Sequence, residues 1–353
     1  MDLDIVRQRL EAAEARLSPF AARTATSRGR RVPEAPSPVR TAYQRDRDRI
    51  LHTKAFRRLK HKTQVFIAPQ LDHYVTRLTH TLEVAQIART VTRALNLNED
   101  LAEAAALGHD IGHGPFGHAG EEALAECLPD GFRHNYQSVR VLEHLENGGR
   151  GLNLTYEVLD AIEKSSKARE DIFAEGWGVP ATLEGQVVKT ADAIAYVNHD
   201  IVDAIRAGLL TEDDLPDSAR RELGRSHSER INTLVCDIVE ASWAATGETG
   251  ADAAPPITFS PRIRAAANEL REFMFDRVYL YEATRREAER GKRVVLFLFE
   301  HLVRHPEGIS PGFSLPHDPI DRQAADYISG MTDRYALRLA RELGCPDAIE
   351  WKE

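Results

Sequence analysis

Residues Leu107–Glu122 read LGHDIGHGPFGHAGEE, and within ten of these positions stand three of the chain's 14 histidines and an aspartate. Chance clustering explains this poorly. His109 and His113 are four apart and share a helix face, Asp110 follows His109 directly, and the Gly114-Pro115-Phe116-Gly117 break re-aims the chain. His118 and Glu121, three apart, share a face of the next helix. Adjacent His and Asp suit a divalent metal ion: imidazole binds borderline ions such as Mn²⁺, Fe²⁺ or Zn²⁺, and carboxylate admits harder ones. Two ligands do not make a site, so the remainder must come from elsewhere in the chain.

Outward from this stretch the apolar pattern is helical. Val84, Ile87, Ala88, Val91 and Leu95 form one stripe; Val139, Leu142 and Leu145 a second; Leu183, Val187, Val188, Ala191, Ile194, Ala195, Ile201, Val202 and Ile205 a third. Sustained β alternation is scarce. VVLFLFEHLV, from Val294, is the nearest strand candidate, and its apolar density suits a buried helix equally, so the expected fold is mainly α. Ser18–Pro38, with Pro33, Pro36, Pro38 and SRGRR, reads as a flexible basic arm; AATGETGADAAPP, Ala244–Pro256, reads as a second break. The expected organisation is an N-terminal helix and arm over 1–40, a main body over 41–243 and a C-terminal helical segment over 257–353 packed on it.

Composition narrows the function. In 353 residues, 42% hydrophobic and 29% charged, no apolar run approaches the roughly 20 residues of a spanning helix, which excludes a membrane protein. The polar start MDLDIVRQRLEAAEARL lacks the apolar core of a secretion signal, and a cytosolic protein is expected. Cys127, Cys236 and Cys345 lie far apart with no C-x-x-C, against both a disulfide framework and a thiolate zinc site. The net charge of −9 repels polyanions, yet Arg40–Lys62 holds nine basic residues against Asp46 and Asp48. That run is either a solvated helix face of Arg–Asp pairs or the wall of a pocket for a small, highly charged anion.

Two further helices offer metal ligands. His80 lies in TRLTHTLEV and Asp192 in VVKTADAIAYVNHD, both otherwise apolar. A carboxylate amid Val187, Val188, Ala191, Ile194 and Ala195 needs a charge partner if it faces the core, which a metal would provide; otherwise it points to solvent. Asp192, Tyr196 and Asp200 recur every four residues as a sloping stripe on one helix.

The set His80, His109-Asp110 and Asp192 resembles the H…HD…D pattern of the HD-domain metal phosphohydrolases, a helical superfamily. YQRDRDRILHTKAFRRLKHKTQVF (Tyr43–Phe66), TRLTHTLEVAQIAR (Thr76–Arg89), LGHDIGHGPFGHAGEE, FRHNYQSVRVLE (Phe132–Glu143) and ADAIAYVNHDIVDAIRAG (Ala191–Gly208) resemble, in order, the deoxyguanosine-triphosphate triphosphohydrolase family. The resemblance implies an HD core with additional C-terminal helices and hydrolysis of a deoxynucleoside triphosphate to a deoxynucleoside and tripolyphosphate. It implies one divalent ion (Mn²⁺, Mg²⁺, Fe²⁺, Co²⁺ or Zn²⁺) on His80, His109, Asp110 and Asp192, lowering the pKa of a bound water and neutralising an α-phosphate oxygen. His118 matches the family's catalytic histidine and Glu121 its acidic partner, an acid for the strongly basic leaving 5′-alkoxide. His113 and His134 match histidines lining the phosphate path, with Arg77 and Lys62 the local cations that offset developing charge. Tyr196, Asp200 and Gln64 match residues around the deoxyribose, where a tyrosine under the sugar leaves no room for a 2′-hydroxyl.

Two positions depart from the family pattern. Ala193 stands where many members have Lys or Arg, and Gly114 where a proline is common. The rival readings are an HD phosphohydrolase of nucleoside monophosphates or alarmones, and a silent nucleotide sensor or weak single-strand nucleic-acid binder using the Arg40–Lys62 patch. The family also implies homo-oligomers and a dNTP effector at a second site.

Overall fold

Two of the helices that position the site begin where short polar side chains cap them. Asn98 accepts from the N–H groups of Asp100 and Leu101 to start helix Glu99–Gly108, and the Thr182 hydroxyl accepts from Gly185 to start helix Leu183–Arg206. The computed structural model describes residues 3–64, 75–166, 178–250, 252–279 and 281–349, so the last two residues of the Tyr43–Phe66 block lie outside the described residues. Among the described residues the only β features are two isolated bridges, Arg30 with Thr155 and Thr63 with Thr76, and no helix is long and apolar enough to cross a membrane. The mainly α expectation holds. The ambiguous stretch from Val294 lies within helix Glu282–Arg304, where Val294, Val295, Leu298 and Leu302 recur at helical spacing on a buried stripe.

The chain divides into two compact units, each gathered from three stretches: Met1–Leu51, Thr81–His109 and Asn153–Arg277 in the first; His52–His80, Asp110–Leu152 and Val278–Glu353 in the second. This partition crosses the linear one, since residues 257–353 contribute to both.

In the first unit, helix Glu99–Gly108 packs against helices Ala42–Leu51, Tyr156–Glu163 and Leu183–Arg206. Its small side chains permit close approach: a Cβ at Gly108 would stand 2.5 Å from Ile162 Cδ1 and 3.3 Å from Ile50 Cδ1, so glycine is required directly before His109. The segment expected to be a flexible arm is instead tied down by buried carboxylates. Glu14 accepts from the Thr24 N–H at 2.7 Å and hydroxyl at 2.9 Å, and Glu157 accepts from the Arg28 N–H at 2.7 Å and the Ser27 hydroxyl at 2.7 Å. Proline and serine content reports low helix propensity; it does not report partners 130 residues away.

Glu184 adds a further tie. Its Oε1 accepts from the backbone N–H groups of Ala22 at 3.0 Å and Asn98 at 2.9 Å, while Oε2 is buried with no hydrogen-bond partner among the described residues. Burial pushes its pKa from an ordinary 4.5 up to about 7, against the backbone N–H groups of Asn98, Ala22 and Glu184 itself that favour the anion. A carboxyl whose folded-state pKa is raised contributes stability that is fully present below pH 4.5 and is lost as pH rises through about 7. Glu184→Gln preserves the Oε1 acceptor and removes the ionisation. It is expected to be more stable than the wild type at pH 8, by on the order of 3 kcal/mol, with that advantage absent near pH 4.5. Urea unfolding at the two pH values checks this; an equal difference at both refutes it.

The second unit has its own core, in which Phe116, Leu124, Leu128, Leu298, Leu302, Ile328 and Leu337 are buried together. Helices Gly117–Cys127, Glu282–Arg304, Ile320–Ser329 and Asp333–Glu342 supply it. The C-terminal segment is thus the apolar support on which the His118 helix rests.

Candidate functional site

In the second unit, the bridge between Thr63 and Thr76 and the hydrogen bond from Arg77 N–H to Lys62 O at 3.3 Å lay Lys62–Gln64 beside the first turn of helix Arg77–Ala94. That turn presents Arg77 and His80, both buried. Arg77 Nη1 donates to Asp110 Oδ2 at 2.8 Å; its Nε and Nη2 are buried without a hydrogen-bond partner among the described residues. Buried guanidinium N–H groups left over after one ion pair favour an anion beside them.

His80 Nε2 stands 3.9 Å from Asp110 Oδ2. This is too long for a hydrogen bond, but two donors each about 2.1 Å from a shared ion stand about 3–4 Å apart. In the first unit the same separation recurs: His109 Nε2 stands 3.9 Å from Asp192 Oδ1. His109 Nδ1 lies 2.6 Å from Ala106 O, an arrangement that puts the ring proton on Nδ1 and directs the Nε2 lone pair toward the carboxylate. His109 and Asp110 are consecutive residues, so the two His–carboxylate pairs are joined by one peptide bond. Each pair, one imidazole facing one carboxylate, is a donor combination that suits a divalent first-row ion.

Glu121 is a hub. It accepts from the His134 N–H at 2.8 Å, lies 2.9 Å from His134 Nδ1 and stands 3.4 Å from His118 Nδ1. The His118 pairing expected from its three-residue spacing is present but is the longer one. Burial works to raise the Glu121 pKa, yet His134, His118 and His113 outweigh it and hold the carboxyl well below its usual range. Burial likewise opposes protonation of His134, but the Glu121 charge and hydrogen bond prevail and raise its pKa. His113 is pushed well below the ordinary histidine value by burial, with Arg77 and His134 adding to it. These shifts favour an ionic His134–Glu121 pair beside a neutral His113, and His118, with 59% of its side chain exposed, is the accessible imidazole.

Asp110, His113 and His134 also bring donor atoms within 4.8 Å of one another. The His113 and His134 rings, however, are stacked at 3.8 Å and 13°. Imidazole lone pairs lie in the ring plane, so a single ion cannot lie in both planes. This trio is a packed histidine stack beside the carboxylate.

Lys62 differs from its expected use on phosphate. It is buried, and its ammonium donates to His113 O and, at 2.8 Å, to Ser329 O. Burial, then Arg58 and Arg77, drive its pKa well down. Gln64 is buried with its Oε1 lacking a hydrogen-bond partner among the described residues.

On helix Leu183–Arg206 of the first unit, Asp192 and Asp200 are buried and Tyr196 is half-buried, on the stripe expected from their spacing. Asp200 has a partner that the sequence reading missed: His199 Nδ1 lies 2.9 Å from its Oδ1, and burial, which would neutralise His199, is outweighed by Asp200, so its pKa is raised. The available signal was a second His-Asp dipeptide. Asp333, which holds Thr63 and Phe116, was also missed, and no local pattern marks it.

Comparison with known proteins gives the family. Residues 77–197 match the HD domain and residues 257–342 the phosphohydrolase-associated domain. The chain is 51% identical over 332 residues to a deoxyguanosinetriphosphate triphosphohydrolase-like protein of Caldanaerobacter subterraneus subsp. tengcongensis, covering 94% of this chain and 93% of the relative. It is 45% identical over 351 residues to a protein of the same description from Desulfatibacillum aliphaticivorans, covering 97% and 98%.

Proposed function

Because the chain belongs to the HD-domain family of deoxyguanosinetriphosphate triphosphohydrolase-like proteins, we propose that it hydrolyses deoxynucleoside triphosphates to deoxynucleoside and tripolyphosphate. One observation carries the reading. Each member of the His109-Asp110 pair stands 3.9 Å from a further ligand-type side chain, Asp192 and His80 respectively, beside an arginine with N–H groups to spare. His80, His109, Asp110 and Asp192 would hold one divalent ion, which when bound would supply Lewis acidity at the α-phosphate and lower the pKa of a water.

The chain's own residues do the rest. Arg77, held on Asp110, turns its remaining N–H groups to phosphate oxygens, where fixed donors meet charge as it develops. His118 donates a proton to the leaving 5′-oxygen, and Glu121, 3.4 Å from its Nδ1, orients the ring. His113 and His134 line the phosphate path, with Lys62 fixing the His113 carbonyl from behind. Tyr196, Asp200 and Gln64 receive the deoxyribose. The reading extends to a cytoplasmic homo-oligomer with a dNTP effector, traits that the resemblance implies.

The test is product analysis on metal-depleted protein repleted with Mn²⁺, Mg²⁺, Fe²⁺ or Co²⁺ and given single and mixed dNTPs. Release of tripolyphosphate supports the proposal. Orthophosphate or pyrophosphate as the product moves the activity to another nucleotide phosphohydrolase. Nucleotide binding that survives chelation, with no turnover under any metal, makes the protein a sensor.

A further inference from the structure

Helix Gly117–Cys127, which carries His118 and Glu121, starts in an unusual way. Its N-cap residue, Phe116, has φ 63° and ψ 24°, a left-handed conformation that bulky L residues rarely adopt, and offers no side-chain cap. The following residue, Gly117, also has positive φ, at 57°. Glycine accepts this without strain; Phe116 must be held there by its surroundings. Its ring is buried in the second unit's core.

The other restraint comes from far along the chain. Asp333, buried at the first turn of helix Asp333–Glu342, turns its carboxylate away from its own helix. Oδ1 accepts from the Phe116 N–H at 3.1 Å; Oδ2 accepts from the Thr63 N–H at 2.9 Å and from the Thr63 hydroxyl. Thr63 follows Lys62, whose ammonium holds the His113 carbonyl at the other end of the same turn. One carboxylate therefore secures residues 113–117 twice, directly at Phe116 and through the Lys62-Thr63 backbone. A Cβ at Gly117 would stand 3.4 Å from Gln64 O and 3.3 Å from Arg77 Nη2, so the turn has little room to shift toward these neighbours.

We propose that Asp333 is a positioning residue for the reaction: its carboxylate locks the left-handed turn at Phe116 onto Thr63 and thereby sets where His118 and Glu121 stand. The proposal rests on the reading of His118 as the general acid. It gives the phosphohydrolase-associated segment a part in the chemistry without contact with substrate.

The experiment compares full-length wild type, Asp333→Asn and Asp333→Ala. Asn has the same shape but cannot accept at both oxygens, so one of the two backbone N–H groups loses its acceptor; Ala removes both acceptors. Amide hydrogen exchange by mass spectrometry is read over residues 113–122, with helix Glu282–Arg304 as internal reference, alongside metal content, kcat and KM. Both variants are expected to exchange faster over 113–122 with the reference helix still protected. They are expected to keep the metal and to lose about 10–100-fold in kcat with KM changed less than about threefold, the signature of a displaced group that acts in the transition state. Unchanged exchange overturns the proposal. Faster exchange with full kcat also overturns it, because the turn is then held for stability alone. If Asp333→Ala does not fold, the isosteric Asn variant decides. If the wild type turns over no dNTP, the functional reading fails on its own, and the exchange result still decides whether Asp333 holds the turn.

Discussion

His109→Ala is expected to lose the divalent ion and, with it, turnover on every dNTP. The imidazole is committed to this role by its surroundings: Nδ1 is engaged by Ala106 O at 2.6 Å, leaving Nε2 aimed at Asp192 across 3.9 Å. Loss of a direct ligand should weaken ion binding beyond the roughly 10–100-fold typical of a change one shell further out. Elemental analysis after dialysis against a weak chelator, together with a dNTP assay, reads both effects. A variant retaining a full complement of metal would remove His109 from the ligand set and with it the single-ion proposal.

The second large effect separates chemistry from metal binding. His118→Ala is expected to keep the ion and lose about 10²–10⁴-fold in kcat, the usual range for a positioned general acid, with KM little altered. His118 is the exposed imidazole of its cluster and reaches Glu121 at only 3.4 Å, whereas His134 holds that carboxylate at 2.9 Å. His118 can therefore turn toward a leaving group without dismantling the Glu121–His134 pair. The loss should shrink sharply for a substrate whose bridging 5′-oxygen is replaced by sulfur, because a thiolate leaves without protonation. An equal loss on both substrates would mean that His118 binds phosphate instead of supplying a proton.

Much of this was legible in the chain itself. The stripe from Val84 to Leu95 and the one from Leu183 to Ile205 are helices with buried apolar faces. The Val294 stretch was ambiguous because a dense apolar run satisfies both periods, and only its burial pattern in helix Glu282–Arg304 resolves it. Composition alone makes Ser18–Pro38 look like a flexible arm, because it carries no account of Glu14, Glu157 and Glu184, whose oxygens hold residues of that segment. The Arg40–Lys62 run, ambiguous by charge alone, resolves in part into ion pairs: Arg40 with Asp48 at 2.7 Å, and Arg47 with Glu103 at 3.1 Å.

The sequence by itself determined the helical class, the adjacency of His109 and Asp110, and the face shared by Asp192, Tyr196 and Asp200, since periodicity and peptide bonds are local properties. Tertiary structure alone decided which partner each buried charge takes: Glu121 prefers His134, thirteen residues on, and Lys62 is committed to carbonyls at His113 and Ser329. Asp333 joins Thr63 to Phe116 from 270 and 217 positions away. A buried ionic or polar group settles where packing leaves it a matching atom and excludes water, and that is a property of the folded neighbourhood, which no window of sequence contains.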